Sequence, residues 1–400
     1  MELYNGELYW PTTESDNVVL QQPEKKERYD VLVIGAGMSG TLTAYTLQQD
    51  GVDFAVIDAC KVGTGSTSAN TGLIQYSNDI MLHELAEKIG EAAAVRFYQL
   101  CLDAVESLDQ VAKDVGASDI YIRRDSLCFA SDETDVAKLK REYEMLSKYG
   151  FDVEWLDRET LRERFPFEKP AALITKGDAE VNPLTLSRQI IRHLSKQHVP
   201  IFEETSVDEV VSDGDGWVVF TSNGTFKANK VIFATGYGPA PLLDSHRIDL
   251  NRSYAIATNP IAEFSDWEGR ALIWETKRPY LYLRTTPDGR IIAGGLDEDK
   301  AETPHDETLM NDRAERVKEK IAELFPMYDL EIDYAWVALF GESVDQLPFI
   351  GEHPNQPNLF YLLGYGGNGT VYSMLGSRIL SALVRGQSHP DADLVRLDRT

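Results

Sequence analysis

A chain of 400 residues suits two domains, or one domain with a large insertion, and its 43% hydrophobic and 10% aromatic content is that of a globular protein with a sizeable core. A formal net charge of −26 argues against nucleic acid or an anionic membrane as partner and reads as a solvated acidic surface. The 3 cysteines, Cys60, Cys101 and Cys128, are too few and scattered for a disulfide framework or a metal site, and the 7 histidines do not pair with them at ligand spacing.

The opening residues, Met1 to Trp10, show no basic region ahead of an apolar one. No apolar run approaches the roughly 20 residues of a membrane span. A cytoplasmic protein with reduced or buried cysteines is therefore expected. Residues 1–28 are polar and read as an arm lying over the surface, anchored through Leu8, Tyr9 and Trp10.

The most informative stretch follows. Val31 to Ile34 run into Gly35-Ala36-Gly37-Met38-Ser39-Gly40 and then a helix-like segment, Thr41 to Gln49. This order predicts a buried strand, a glycine turn and a helix N-terminus. Gly35 permits the turn, Gly37 lets backbone approach a pyrophosphate, and Gly40 lets helix pack on strand. Unpaired N–H groups and the positive dipole end at such a terminus suit phosphates. A second strand, Phe54 to Ile57, ends on Asp58, placed to bind a ribose with a free 2′-hydroxyl, so NAD or FAD is expected rather than NADP. Ala59 adjoins it. The loop Gly63 to Gly72 is rich in hydroxyls and glycines, and its Gly65, Ser66, Thr67, Ser68, Asn70, Thr71 and Gly72 are candidates to follow the dinucleotide towards its reactive ring.

Apolar residues from Leu82 to Val111 recur at spacings of three and four, predicting an amphipathic helical stretch over 79–116, broken near Gly90. Strands are expected over 120–130 and 152–156, a charged helix over 134–149, and a short helix from Leu161 stopped by Pro166. Gly177 to Pro183 reads as a loop into a helix over 184–197. Short strands then alternate with turns up to Ala228, and a second buried strand, Lys230 to Gly236, follows with Thr235 and Gly236 at its end. Period-two alternation over 279–285 puts Tyr280, Tyr282 and Arg284 on one face and Leu281 and Leu283 on the other. Such a face suits a carboxylate-bearing substrate, because arginine offers a two-pronged donor; an exposed sheet face with a surface arginine fits as well. A charged helix over 307–324 and a strand over 334–339 precede Leu347-Pro348-Phe349-Ile350-Gly351. A strand over 359–363 then meets Gly364-Tyr365-Gly366-Gly367-Asn368-Gly369-Thr370 and a helix over 371–384, whose N-terminus again favours an anionic group.

Taken together, the G-A-G-M-S-G turn with Asp58, the G-S-T-S-A-N-T-G loop, V-I-F-A-T-G, Y-L-Y-L-R-T-T-P-D-G-R-I-I-A-G-G, and L-P-F-I-G followed by G-Y-G-G-N-G-T resemble the D-amino-acid oxidase/glycine oxidase superfamily of FAD-dependent oxidoreductases. The resemblance runs from about Tyr29 to Gly386 and is nearest the sarcosine-oxidase-like and γ-glutamylputrescine-oxidase-like branch. It implies an α/β fold, with a Rossmann-like FAD-binding domain (29–110, 170–237 and 338–392) interleaved with a sheet-rich substrate domain (111–169 and 238–337). It also implies that Val207 meets the adenine through its backbone. Gly63 to Gly72 would line the pyrophosphate and flavin. Leu347 and the segment from Gly364 to Thr370 would contact the isoalloxazine, and Tyr280, Tyr282, Arg284 and Asn368 would face the substrate.

Covalently flavinylated relatives carry a cysteine near L-P-F-I-G or a histidine in the loop after the first β-α-β unit. Neither stands in 341–346 or 65–72 here, so noncovalent FAD is expected. Asn368 replaces a histidine common in the relatives' C-terminal glycine loop. No lysine occupies 290–293, where oxygen-activating relatives have one, so oxygen or an electron carrier is open as acceptor. The expected activity is oxidation of a small amine or amino acid to an imine. The alternatives are a hydroxy-acid or polyol-phosphate dehydrogenase using a carrier, and a flavin-binding subunit of a larger complex.

Overall fold

A computed structural model describes residues 2–14, 23–238 and 248–399. Among these, the strands form two sheets. The first is built around Tyr29–Ile34, whose β-branched run is buried on both faces, as parallel strands are. Its neighbours are Phe54–Ile57 on one side and Gly224–Phe233 on the other, both parallel to it. Ile201–Phe202 and Gln356–Leu363 extend this parallel core outward, and Phe349–His353 closes one edge antiparallel. Alternation sorts the side chains. Val31 and Val33 meet the helices Met38–Gln49, Pro183–Lys196 and Gly369–Val384, while Leu32 and Ile34 meet Trp217, Val219 and Phe226 of the antiparallel meander Val207–Asp213, Gly216–Thr221 and Gly224–Phe233.

The second sheet runs Tyr4–Gly6, Ile332–Ser343, Ile248–Thr258, Ile291–Glu298, Leu281–Thr285, Leu272–Glu275, Tyr121–Phe129, Ala171–Val181, Leu73–Ile74, with Val153–Asp157 also pairing Ala171–Val181. The helix Glu307–Leu324 covers one face, placing Val317 and Ile321 against Leu281, Leu283 and Ile256. Asp306 caps it by accepting from the Thr308 and Leu309 N–H groups. The opposite face is turned towards the first sheet.

The helical stretch breaks at Gly90 (φ +89°) into Leu82–Ile89 and Glu91–Asp114. The segment read as a loop from Gly177 is different: residues up to Val181 complete the strand Ala171–Val181. Its polar residues find partners inside the protein, which hides the strand's alternation. Asp178 accepts from Tyr76 N–H (2.9 Å) and the Thr175 hydroxyl (3.1 Å), and Glu180 pairs with Arg124 (3.0 Å). Leu8, Tyr9 and Trp10 of the arm are buried, and Tyr4–Gly6 adds an edge strand.

Candidate active site

A cavity of about 600 Å³ runs between the two sheets. At one end it is framed by the turn between Tyr29–Ile34 and Met38–Gln49. Gly35 has φ +111°, and a Cβ on it would stand 2.3 Å from the Ala234 carbonyl oxygen. A Cβ on Gly40 would stand 1.7 Å from the Gly35 carbonyl oxygen, so the helix start lies directly on the turn. Asp58 accepts from the N–H groups of Ala36 (2.5 Å) and Cys60 (2.7 Å), while burial pushes its carboxyl above the usual range.

The loop after it is locked to this turn, since Thr67 Oγ1 accepts from Met38 N–H at 2.9 Å. Ser66 Oγ is buried without a partner in the same wall. From the C-terminal side, Gly366, Gly367 and the start of the Gly369–Val384 helix reach the cavity, tied to the first helix by Ser39 and Ser373 (2.9 Å).

Of the residues singled out from sequence, Gly35, Gly37, Met38, Ser39, Asp58, Ala59, Gly65, Ser66, Thr67, Asn70, Thr71, Val207, Thr235, Gly236, Gly366, Gly367, Asn368, Gly369, Thr370, Tyr280 and Tyr282 line this one cavity. Six do not. Gly40, Ser68 and Gly72 pack behind its walls, while Gly364 (φ +72°) lies against Phe349 and Ile248. A Cβ on Gly72 would meet the Val181 carbonyl oxygen at 2.2 Å, and Ser68 Oγ donates to the Gly65 carbonyl. The Leu347 side chain is buried elsewhere, and its carbonyl accepts from Ser343 Oγ and Arg399.

Arg284 is the main correction. It lies on the same face as Tyr280 and Tyr282 but beyond the cavity, only 1% exposed. It donates to the carbonyls of Gly72 (2.7 Å), Val181 (2.8 Å) and Thr285 (3.0 Å). Trp10 of the arm lies over it, 5.3 Å from guanidinium carbon to ring centre, and Glu180 is 4.0 Å away. Alternation gave its face; the arm that covers that part of the face comes from more than 270 residues earlier in the chain, a distance local patterning does not register.

The far end of the cavity is a chamber of side chains from separated strands. Tyr280 and Tyr282 lie 5.6 Å apart, Trp274 lies 6.5 Å from Tyr280, and Phe340 and Tyr237 add to the wall. A Cβ on Gly294 would collide with the Tyr282 ring, so this glycine makes the room Tyr282 occupies. Two carboxylates enter here. Asp79 accepts from Tyr280 Oη (3.0 Å) and Gly367 N–H (3.1 Å). Asp297 has a buried Oδ1 with no partner, and burial raises its carboxyl to about 6. Asn368 turns away, donating to the Gln75 carbonyl (2.8 Å) and Asn78 Oδ1 (2.9 Å).

Trp274, Asp79 and Asp297 escaped the sequence reading. Trp274 lies on a strand no motif announces, and Asp297 follows Leu296 (φ +57°), which breaks the alternation that would have placed it. Beside the alternation that gives Tyr280 and Tyr282, the Gly294-Gly295 pair is a local signal of this end. No lysine, arginine or histidine lines the cavity among the described residues.

A family model described as FAD dependent oxidoreductase (DAO) matches residues 30–383. The probable oxidoreductase OrdL of Rhizobium meliloti (strain 1021) is 24% identical to this chain, the match covering 98% of this chain and 91% of that one. Gamma-glutamylputrescine oxidoreductase of Escherichia coli (strain K12) is 27% identical over 90% of this chain and 84% of its own length. In fold the chain is similar to glycine oxidase from Geobacillus kaustophilus, with a TM-score of 0.80 at 21% identity, covering 94% of this chain and 100% of that one.

Proposed function

The chain belongs to the DAO family of FAD-dependent oxidoreductases, and from that premise we propose that it oxidises the C–N bond of a small amine or amino acid to an imine, using FAD held noncovalently. The observation that carries this reading is the charge of the lining. A hydroxy acid or polyol phosphate is an anion that needs cationic partners, and the described lining offers Asp79 and Asp297 instead.

The residues present fit FAD. The Gly35–Gly40 turn and the N–H groups at the start of Met38–Gln49 would hold the pyrophosphate, and Asp58 the ribose. The unpartnered Ser66 Oγ has a hydrogen bond to give. The N-terminus of Gly369–Val384 favours negative charge beside it by about 0.3–1 kcal/mol. Bound FAD supplies a two-electron acceptor able to take a hydride equivalent from carbon.

The chain's own part is to orient the amine and exclude water. Trp274, Tyr280 and Tyr282 wall the chamber, and burial keeps both tyrosines protonated well above neutral pH. Hydride removal from a neutral amine requires no dedicated side-chain base, in keeping with a described lining without histidine or lysine. The imine then hydrolyses to a carbonyl compound and an amine or ammonia. The carboxylate-bearing substrate class rested on Arg284, and its place under Trp10 removes that support.

The test is anaerobic addition of an amine and amino-acid panel to the purified yellow protein, with hydroxy acids and glycerol phosphate alongside. Bleaching of the flavin by an amine is expected; bleaching by hydroxy acids alone overturns the reading. Readmitted air separates an oxidase from a dehydrogenase, and acid precipitation that frees all the FAD confirms noncovalent binding.

A further inference from the structure

We infer that the substrate end of the cavity is a cation site, in which the Asp297 carboxylate holds an ammonium group of the substrate within the wall of Trp274, Tyr280 and Tyr282, and that a free carboxylate is not the substrate's anchor. This rests on the amine-oxidation reading and narrows it to amines that arrive as ammonium ions without a neighbouring carboxylate; where the held nitrogen is the one oxidised, its proton passes to the Asp297 carboxylate before hydride leaves the carbon.

The two acids of the chamber differ in what already answers them. Asp79 has Tyr280 Oη and Gly367 N–H as donors, and its backbone carbonyl accepts from Arg278 at 2.8 Å. The Arg278 guanidinium lies 3.7 Å from Asp79 Oδ1 and stacks over Tyr280 at 4.2 Å. That cation is therefore matched, and it lies outside the cavity lining. Asp297 is answered less fully. Ser253 bonds its carboxyl and Arg278 acts on it from farther away, but Oδ1 accepts no hydrogen bond, the residue lines the cavity, and Asp79 adds a like charge. A buried carboxylate without a cation against it is costly, and a positive charge placed beside it offsets that cost.

The chain brings this group into the chamber by a specific backbone device. Gly295 (φ +143°) and Leu296 (φ +57°) interrupt the strand Ile291–Glu298 just before Asp297, while Glu298 beyond it pairs with Arg252 and Arg313. The surrounding rings suit a cation as well, since aromatic faces attract ammonium groups and their apolar area takes alkyl carbons. A carboxylate placed there would face Asp79 and Asp297 with no cation of the described lining to meet it.

A matched pair of ligands that the enzyme does not oxidise tests this on the FAD-loaded protein: benzyltrimethylammonium and phenylacetate share an aromatic body and differ in the sign of the charge. Difference absorbance spectra of the flavin should show benzyltrimethylammonium binding at least about tenfold more tightly than phenylacetate. Asp297→Asn should lose about tenfold or more of that ammonium affinity while its FAD content stays that of the parent. Tighter binding of phenylacetate, no perturbation by the ammonium ion, or an unchanged ammonium affinity in Asp297→Asn overturns the proposal. Should that variant not fold, the two ligands on the unaltered protein decide alone.

Failure of the underlying reading looks different. Asp297-dependent ammonium binding in a protein no amine bleaches leaves the cation site standing and removes C–N oxidation. Bleaching by α-amino acids in a protein that ignores the ammonium ion does the reverse.

Discussion

The two ends of the cavity are built by opposite means. At the nucleotide end, backbone does the work: Gly35 and Gly40 leave no room for a Cβ, and the Met38–Gln49 helix starts on the turn they make. At the substrate end, side chains from strands far apart in sequence do it: Trp274, Tyr282 and Asp297 meet only because Leu272–Glu275, Leu281–Thr285 and Ile291–Glu298 lie side by side. Steric necessity over six residues leaves a local mark in the sequence. A chamber assembled by sheet pairing leaves less: the alternation that gives the face of Tyr280 and Tyr282, and a glycine where, as at Gly294, a neighbour needs space.

The contrast is most easily broken at Gly40. Gly40→Ala forces a methyl to within 1.7 Å of the Gly35 carbonyl, so the turn has to open, and the variant is expected to purify colourless or not to fold, as read by flavin absorbance and circular dichroism. A yellow, FAD-saturated Gly40→Ala protein would mean that the turn is not under this constraint.

Arg284 sharpens the comparison from the other side. Arg284→Met strips donors from the Gly72, Val181 and Thr285 carbonyls and removes the cation nearest Glu180 Oε2, which already lacks a hydrogen bond, leaving Glu180 with Arg124. A loss of about 3 kcal/mol in urea unfolding is expected. KM of the FAD-loaded variant should stay within about twofold of the parent. A large rise in KM at unchanged stability would restore Arg284 to the substrate.

Asp58→Ala removes a carboxylate that accepts two N–H groups at the nucleotide end. FAD affinity is expected to fall by about 10- to 100-fold, measured by fluorescence titration of the apoprotein, with kcat of the saturated enzyme little changed.

The smallest effect separates the ends by pH. Asp297 titrates at about 6 because burial disfavours its charge, with Asp79 adding to the rise and Ser253 and Arg278 opposing it. Tyr280, Tyr282 and Glu342 also face it. The folded protein thus holds this proton more tightly than the unfolded chain, so ionisation between about pH 4 and 6 works against stability and a bound cation restores it. Affinity for benzyltrimethylammonium, which has no proton to lose, should weaken about tenfold from pH 7 to pH 5, following the ionised fraction. FAD affinity should not follow that curve.

How much of this was legible in the sequence follows the same division. The turn at Gly35, Asp58, the helix over 307–324 and the break at Gly90 are local patterns, and the structure has them where the periodicity and the glycines place them. The strand through Gly177 was misread because Asp178 and Glu180 look solvent-facing until Tyr76, Thr175 and Arg124 are seen to meet them. Arg284 was assigned to the right face and the wrong task, because the covering Trp10 is distant in sequence. Asp297 went unread because a positive-φ leucine precedes it, an arrangement that periodicity does not anticipate.

The most direct test of amine oxidation at a cation-selecting site is an anaerobic titration of the yellow holoenzyme with two substrates that differ by one carboxylate, an alkylamine and the α-amino acid built on the same side chain, followed at the flavin absorbance band. Bleaching by the alkylamine at concentrations at least about tenfold lower than by the amino acid is predicted. Bleaching by the amino acid in preference to the amine would contradict it.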